Sequence, residues 1–130
     1  MEFFTLDQAQ AMLAQVSAEV LAMRACKREL NDLRADLAHV AEASTGNGHV
    51  KDETAIAGKR RRAEALADEL NRRLGTVNGW GIELKGIEEG LVDFPSERDG
   101  RVVYLCWRLG EDRIAWWHEI DTGFAGRQSL

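Results

Sequence analysis

The chain has 130 residues, 45% of them hydrophobic and 30% charged, with a formal net charge of −5 at pH 7. That length is one domain, and the composition is that of a folded globular chain rather than a disordered one. No apolar run approaches the roughly 20 residues that a helical bilayer crossing needs, and an acidic chain with one short basic run is not a general nucleic-acid binder.

The start of the chain lacks the basic region and apolar core of a signal peptide, so a cytoplasmic protein is expected. The first element begins at Thr5. Thr5 with Gln8 fits a capping box, in which the hydroxyl takes one orphan N–H and the amide reaches back to another. Apolar residues recur at Leu13, Val16, Val20 and Met23, then at Cys26, Leu30, Leu33, Leu37 and Val40. Spacings of three and four mark one stripe of a helix. The three-residue step from Met23 to Cys26 is a stammer-like phase shift. The pattern predicts a helix over residues 5–43.

Ser44, Thr45, Gly46, Asn47, Gly48 and His49 make a polar stretch, so residues 44–51 are predicted as a loop. A second helix is predicted over 52–78. Asp52 and Glu53 suit its N-terminus, and its stripe is Ile56, Ala63, Leu66, Leu70, Leu74 and Val77. Asn78, Gly79 and Gly81 end it. A short connection makes the pair an antiparallel, coiled-coil-like hairpin. A helix over 5–43 is about 58 Å long, against a diameter of roughly 36 Å for a compact chain of this size. The second helix can cover the Leu30 to Val40 half of the first, but not all of the Leu13 to Met23 half. The sheet, a second copy of the chain, or both must cover the rest, and a homodimer is expected.

After Gly81 the period changes to that of strands. Residues 82–85 and 91–94 are predicted strands, the second closed by Pro95, which cannot continue a central ladder. Asp99 and Gly100 signal a hairpin turn. Residues 102–107 are β-branched and aromatic, and residues 113–119 return after a turn. Alternation puts Val103, Leu105 and Trp107 on one face and Val102, Tyr104 and Cys106 on the other. The expected fold is α+β: a helical hairpin, then an antiparallel meander of three to four strands over 81–130, in a single domain of residues 1–130.

The stretch GLVDFPSERDGRVVYLCWRLGEDRIAWWHEIDTGFAGRQSL, residues 90–129 and Leu130 included, resembles an uncharacterised prokaryotic family known as domain of unknown function 2203. The matching positions include Gly81, Leu84, Lys85, Gly90 to Pro95, Val103 to Trp107, Gly110, Glu111, Trp117, His118, Asp121, Gly123, Phe124, Gly126 and Arg127. Gly86 stands where the family pattern has Asp, so no role rests on that carboxylate here. The resemblance implies membership of the family and no particular activity.

His118 is the leading candidate for chemistry. It is followed by Glu119, with Asp121 three residues on and Asp93 in a neighbouring strand. Such a histidine can be a general base, a metal ligand, or a strand-end ring satisfied by its neighbours. One histidine and separated carboxylates give too few ligands for a tight metal site, so no metal or cofactor is expected. Cys26 and Cys106 form no CxxC pair and read as small buried thiols. Arg127, in a glycine-punctuated tail, can clamp an anion or bridge to Asp93 or Asp121. Lys59, Arg60, Arg61 and Arg62 spread around a helix turn and read as a solvated face that pairs with acids. The candidate binding residues are Asp93, Tyr104, Trp107, Trp116, Trp117, His118, Asp121 and Arg127. Three functions follow in order: a non-enzymatic protein-interaction or scaffold module with a Trp-rich sheet surface; a small-ligand or metal site around His118, Asp93, Asp121 and Arg127; and RNA or ribosome association through Lys59 to Arg62.

Overall fold

The structure is a computed structural model that describes residues 3–47 and 53–130, with side chains of 43–47 excepted. The elements are α1 (Leu6–Ala11), α2 (Leu13–Asn47), α3 (Glu53–Gly79), β1 (Glu83–Gly86), β2 (Leu91–Arg98), β3 (Arg101–Arg108) and β4 (Trp116–Glu119), followed by a 3₁₀ turn at Phe124–Gly126 and β5 (Gln128–Ser129). The expected helical hairpin and antiparallel sheet are both present, and the sheet gains a fifth strand from the tail. Among the described residues, no helix is long and apolar enough to cross a membrane.

The capping box forms as expected: Gln8 N–H donates to Thr5 Oγ1 at 3.1 Å, and Thr5 N–H to Gln8 Oε1 at 2.9 Å. The predicted single helix is interrupted once, at Met12, whose N–H reaches the Ala9 carbonyl instead of continuing the four-residue ladder. Helix α2 runs to Asn47, past the predicted end at residue 43. The rest of the predicted loop and the predicted start at Asp52 lie outside the described residues.

The chain divides into two compact units, Met1–Arg24 with Arg73–Leu130, and Ala25–Arg72. The division falls in the three-residue step between Met23 and Cys26. In the second unit the two helices meet through Cys26, Leu30 and Leu66, with Leu33, Ala63 and Ala67 partly buried around them. The Cys26 thiol donates to Glu69 at 2.8 Å. Two of the four consecutive cations are paired across the hairpin, Lys59 with Asp36 and Arg62 with Glu29 through two N–H groups.

In the first unit the order of the sheet is β1-β2-β3-β4-β5, antiparallel throughout. Asp99 (φ 52°) and Gly100 (φ 77°) both take positive φ. This is the two-residue turn whose twist suits a hairpin, and it pairs Arg98 with Arg101. Gly90 (φ 67°) is required on two counts, since a Cβ there would lie 2.4 Å from Leu109 Cβ.

Strand β2 does not stop at Pro95 but continues to Arg98. The reason is local. Strand β1 pairs with β2 only as far as Asp93, so beyond that point β2 has an edge. The Pro95 carbonyl accepts from Phe4 N–H at 2.7 Å. A strand residue points its nitrogen and its carbonyl to the same side, so the missing N–H of Pro95 faces this edge and costs no ladder bond to β3. Ser96 Oγ then donates to the Phe4 carbonyl at 2.6 Å, and the Phe4 and Phe94 rings meet edge to face.

Register assigns the faces. Val92, Phe94, Val103, Leu105, Trp107 and Trp117 share one face, and all are buried. Val16, Val20 and Met23 in the same unit are also fully buried. Of the covers expected for this part of the first helix, the sheet or a second copy, burial of these three residues within one chain needs no second copy. The opposite face carries Asp93, Tyr104, Cys106, Trp116 and His118.

Candidate functional site

The polar face of the sheet should be wet by the usual pattern of an antiparallel meander. Instead Asp93, Cys106 and His118 are 2%, 0% and 1% exposed. Three strands supply them. Asp93 lies directly opposite Cys106 across the β2–β3 ladder, and His118 in β4 lies opposite Tyr104 in β3. Their side chains converge, and one potential ligand atom from each lies within 4.8 Å of the others.

The hydrogen bonds define the state of the cluster. His118 Nδ1 lies 2.7 Å from the Glu119 carbonyl oxygen. A carbonyl only accepts, so Nδ1 carries a hydrogen and donates it. His118 Nε2 lies 3.0 Å from Asp93 Oδ1. With hydrogen on Nδ1, the Nε2 lone pair faces Oδ1, and one hydrogen shared between these two atoms makes the contact a hydrogen bond. The Cys106 thiol faces the same Asp93 carboxyl across the ladder. Burial, and next the negative charge of Asp93, push the Cys106 thiol up to about 12, although Arg127 pulls the other way.

A second layer of side chains covers this centre. The Tyr104 ring lies 5.5 Å from the imidazole, and Lys85 sits over Tyr104. The Tyr104 hydroxyl donates to Glu83, and that bond, with burial, pushes the phenol up to about 12. Burial opposes the ionisation of Glu83, yet hydrogen bonds from Tyr104 and Lys85 outweigh it and hold the carboxyl below its usual range. On the other side the tail folds back. Gly123 takes positive φ, the 3₁₀ turn follows, and Arg127 comes to lie over the rings of Trp116 and Phe124. Its guanidinium donates to Glu111 at 2.7 Å and to the Cys106 carbonyl at 3.3 Å. Glu111 also accepts from Arg108 N–H, and its carbonyl accepts from Trp107 Nε1.

The sequence candidates therefore separate. Asp93, His118, Tyr104, Trp116 and Arg127 come together on one face. Trp107 and Trp117 do not: both are buried on the apolar face, Trp117 beneath Arg98 and Arg101. Of the three tryptophans in the sheet, only Trp116 lies off the apolar core face, which reduces the expected tryptophan-rich sheet surface to one ring. Asp121 lies in the exposed turn after β4, outside the cluster. The partner of Arg127 is Glu111 rather than Asp93 or Asp121. Sequence reasoning missed Cys106 and Glu111. The first was findable: counting six residues back from Asp99 and six residues on from Gly100 places Asp93 opposite Cys106.

No curated protein and no solved structure matches this chain. The segments that build the covered polar face, from β2 to the Arg127 tail, are the ones that carry the family-like pattern. A family model described as "Uncharacterized conserved protein (DUF2203)" matches residues 2–130, and the chain belongs to that family.

Proposed function

We propose that this protein is a non-enzymatic, cytoplasmic interaction module that works as a homodimer through its helical hairpin. The observation that carries this reading is an apolar stripe wider than the two helices can hide. Leu37 and Val40 on α2 and Ile56 and Ala57 on α3 remain half-buried and line a groove of about 750 Å³, flanked by Glu53, Arg60 and Arg61. A second hairpin supplies the matching stripe and closes a four-helix arrangement by the usual packing of such elements. Two further observations support a non-enzymatic role. Both ring nitrogens of His118 are engaged, and the Cys106 thiol is buried and held neutral, so neither is a free base or nucleophile. Cys26 and Cys106 form no disulfide, which suits a reducing compartment. RNA association loses support because Lys59 and Arg62 are paired with acids.

The test is sedimentation equilibrium at micromolar concentration. The wild-type chain should sediment as a dimer, and Leu37→Glu or Ile56→Glu should sediment as monomers with an unchanged near-ultraviolet tryptophan signal. A wild-type monomer overturns the reading.

A further inference from the structure

We propose that Asp93, Cys106 and His118 form a binding site for a divalent transition metal of the zinc class, with Asp93 Oδ1, Cys106 Sγ and His118 Nε2 as its three protein ligands. This site is separate from the hairpin groove and does not depend on it. Three observations carry it. The first is donor chemistry: one imidazole nitrogen, one sulfur and one carboxylate oxygen, drawn from three adjacent strands, are the donor types that zinc takes. The second is spacing. Zinc bonds of about 2.0–2.3 Å put tetrahedral donors roughly 3.3–3.6 Å apart, and these atoms all lie within 4.8 Å, with His118 Nε2 and Asp93 Oδ1 3.0 Å apart. Shifts of less than about 1 Å in rigidly laddered side chains bring them to that spacing.

The third is the orientation of the ring. The Nδ1–H bond to the Glu119 carbonyl at 2.7 Å is the outer bond that metal-ligating histidines use to fix the tautomer and present Nε2 as a lone pair. Here Nε2 is aimed at Asp93 Oδ1, 3.0 Å away, where the bare cluster shares a hydrogen. A metal ion takes the place of the proton.

Charge and protons balance. The bare cluster holds one carboxylate, one proton shared with the imidazole, and a neutral thiol. Binding M²⁺ releases the shared proton and the thiol proton and leaves a neutral carboxylate–thiolate–metal centre. The positive charge of Arg127 is matched by Glu111, its partner at 2.7 Å. Three protein ligands leave a fourth position for a water molecule. Tyr104 and Trp116, on the same face of the sheet as the cluster, are half-buried.

The experiment uses the full chain, stripped with a chelator and titrated with Zn²⁺, then with Co²⁺ as a spectroscopic stand-in. One equivalent should bind. The cobalt form should show a thiolate-to-metal charge-transfer band and the intense visible bands of a tetrahedral site. Cys106→Ser and His118→Gln should each weaken Zn²⁺ binding by about 100-fold or more. Where either variant fails to fold, the decisive protein is Cys26→Ser, which keeps Cys106 as its only thiol and leaves the sheet untouched. It should bind one equivalent and keep the charge-transfer band. A folded wild-type chain that binds neither ion, a cobalt form without the thiolate band, or a band lost with Cys26→Ser overturns the proposal.

Discussion

On the face of the sheet that carries Phe94, burial is apolar: Val92, Phe94, Val103, Leu105, Trp107 and Trp117 line up by simple alternation. On the opposite face the buried residues are Asp93, Cys106 and His118, and the chain spends a roof of Tyr104, Trp116 and Arg127 on keeping them dry. The two faces share the same strands and the same ladders, so backbone structure does not distinguish them. Their chemistry does. Apolar burial stabilises by removing surface from water, at about 25 cal/mol per Å². Burial of polar groups stabilises little in net terms and costs about 1–3 kcal/mol for each group left without a partner. A small sheet that hides an imidazole, a carboxylate and a thiol therefore gains little stability that apolar side chains would not supply more simply. The comparison marks the polar face as the part of the molecule shaped for something other than folding.

The largest effect expected from breaking this comparison lies on the apolar face. Trp107→Ala should lower stability by about 3–5 kcal/mol in urea titration, from lost burial and the cavity left behind. On the polar face, Asp93→Ala removes the buried partner of the imidazole and should cost about 1–3 kcal/mol. Replacing Asp93 and His118 together with Leu and Phe should recover most of that loss, because apolar side chains of similar volume can replace a buried charged pair without a net penalty. Failure of the double variant to recover would mean that the cluster is a stabilising element. Arg127→Met should cost less, about 1 kcal/mol, since Glu111 can then turn to solvent.

A further effect appears only at alkaline pH. The thiol of Cys106 and the phenol of Tyr104 are each held neutral to about 12 in the folded chain, above their ordinary values of 9.0 and 10.0. Above those ordinary values the unfolded chain binds fewer protons than the folded one, so stability must fall as pH rises. The stabilisation is fully present below pH 9 and is lost as pH rises towards 12. Melting temperatures from pH 8 to 11 should decline, and Cys106→Ser with Tyr104→Phe should decline less steeply.

Much of the fold was legible in the sequence, and the parts that were not have identifiable causes. Periodicity located both helical stripes, and the Asp99–Gly100 turn located the central hairpin. Pro95 misled, because a proline ends a central strand but not one whose nitrogen faces an edge, and which edge is free depends on where β1 stops. Ending β2 at Pro95 cut the ladder short and hid the register that sets Asp93 against Cys106. Cys106 then read as a small apolar residue, its usual role. Of the candidates read around His118, Asp93 does face its ring, at 3.0 Å, whereas Arg127 pairs with Glu111, which was not among them. The segment between β3 and β4 is irregular, so no counting rule brings Glu111 to Arg127, and Asp121 was favoured only because it is close in sequence. The tryptophans illustrate the same limit: adjacent Trp116 and Trp117 point to opposite faces, and only the sheet decides which of them is core.

The measurement that tests the account most directly is nitrogen-detected NMR of the His118 ring in the metal-free protein. If the polar face gathers one hydrogen-bonded cluster, Nδ1 carries a hydrogen, that hydrogen is protected from exchange, and the Nε2 signal moves when Asp93 is changed to Asn. A bare Nδ1, with ring hydrogens that exchange freely with water and an Nε2 signal indifferent to Asp93, would contradict it.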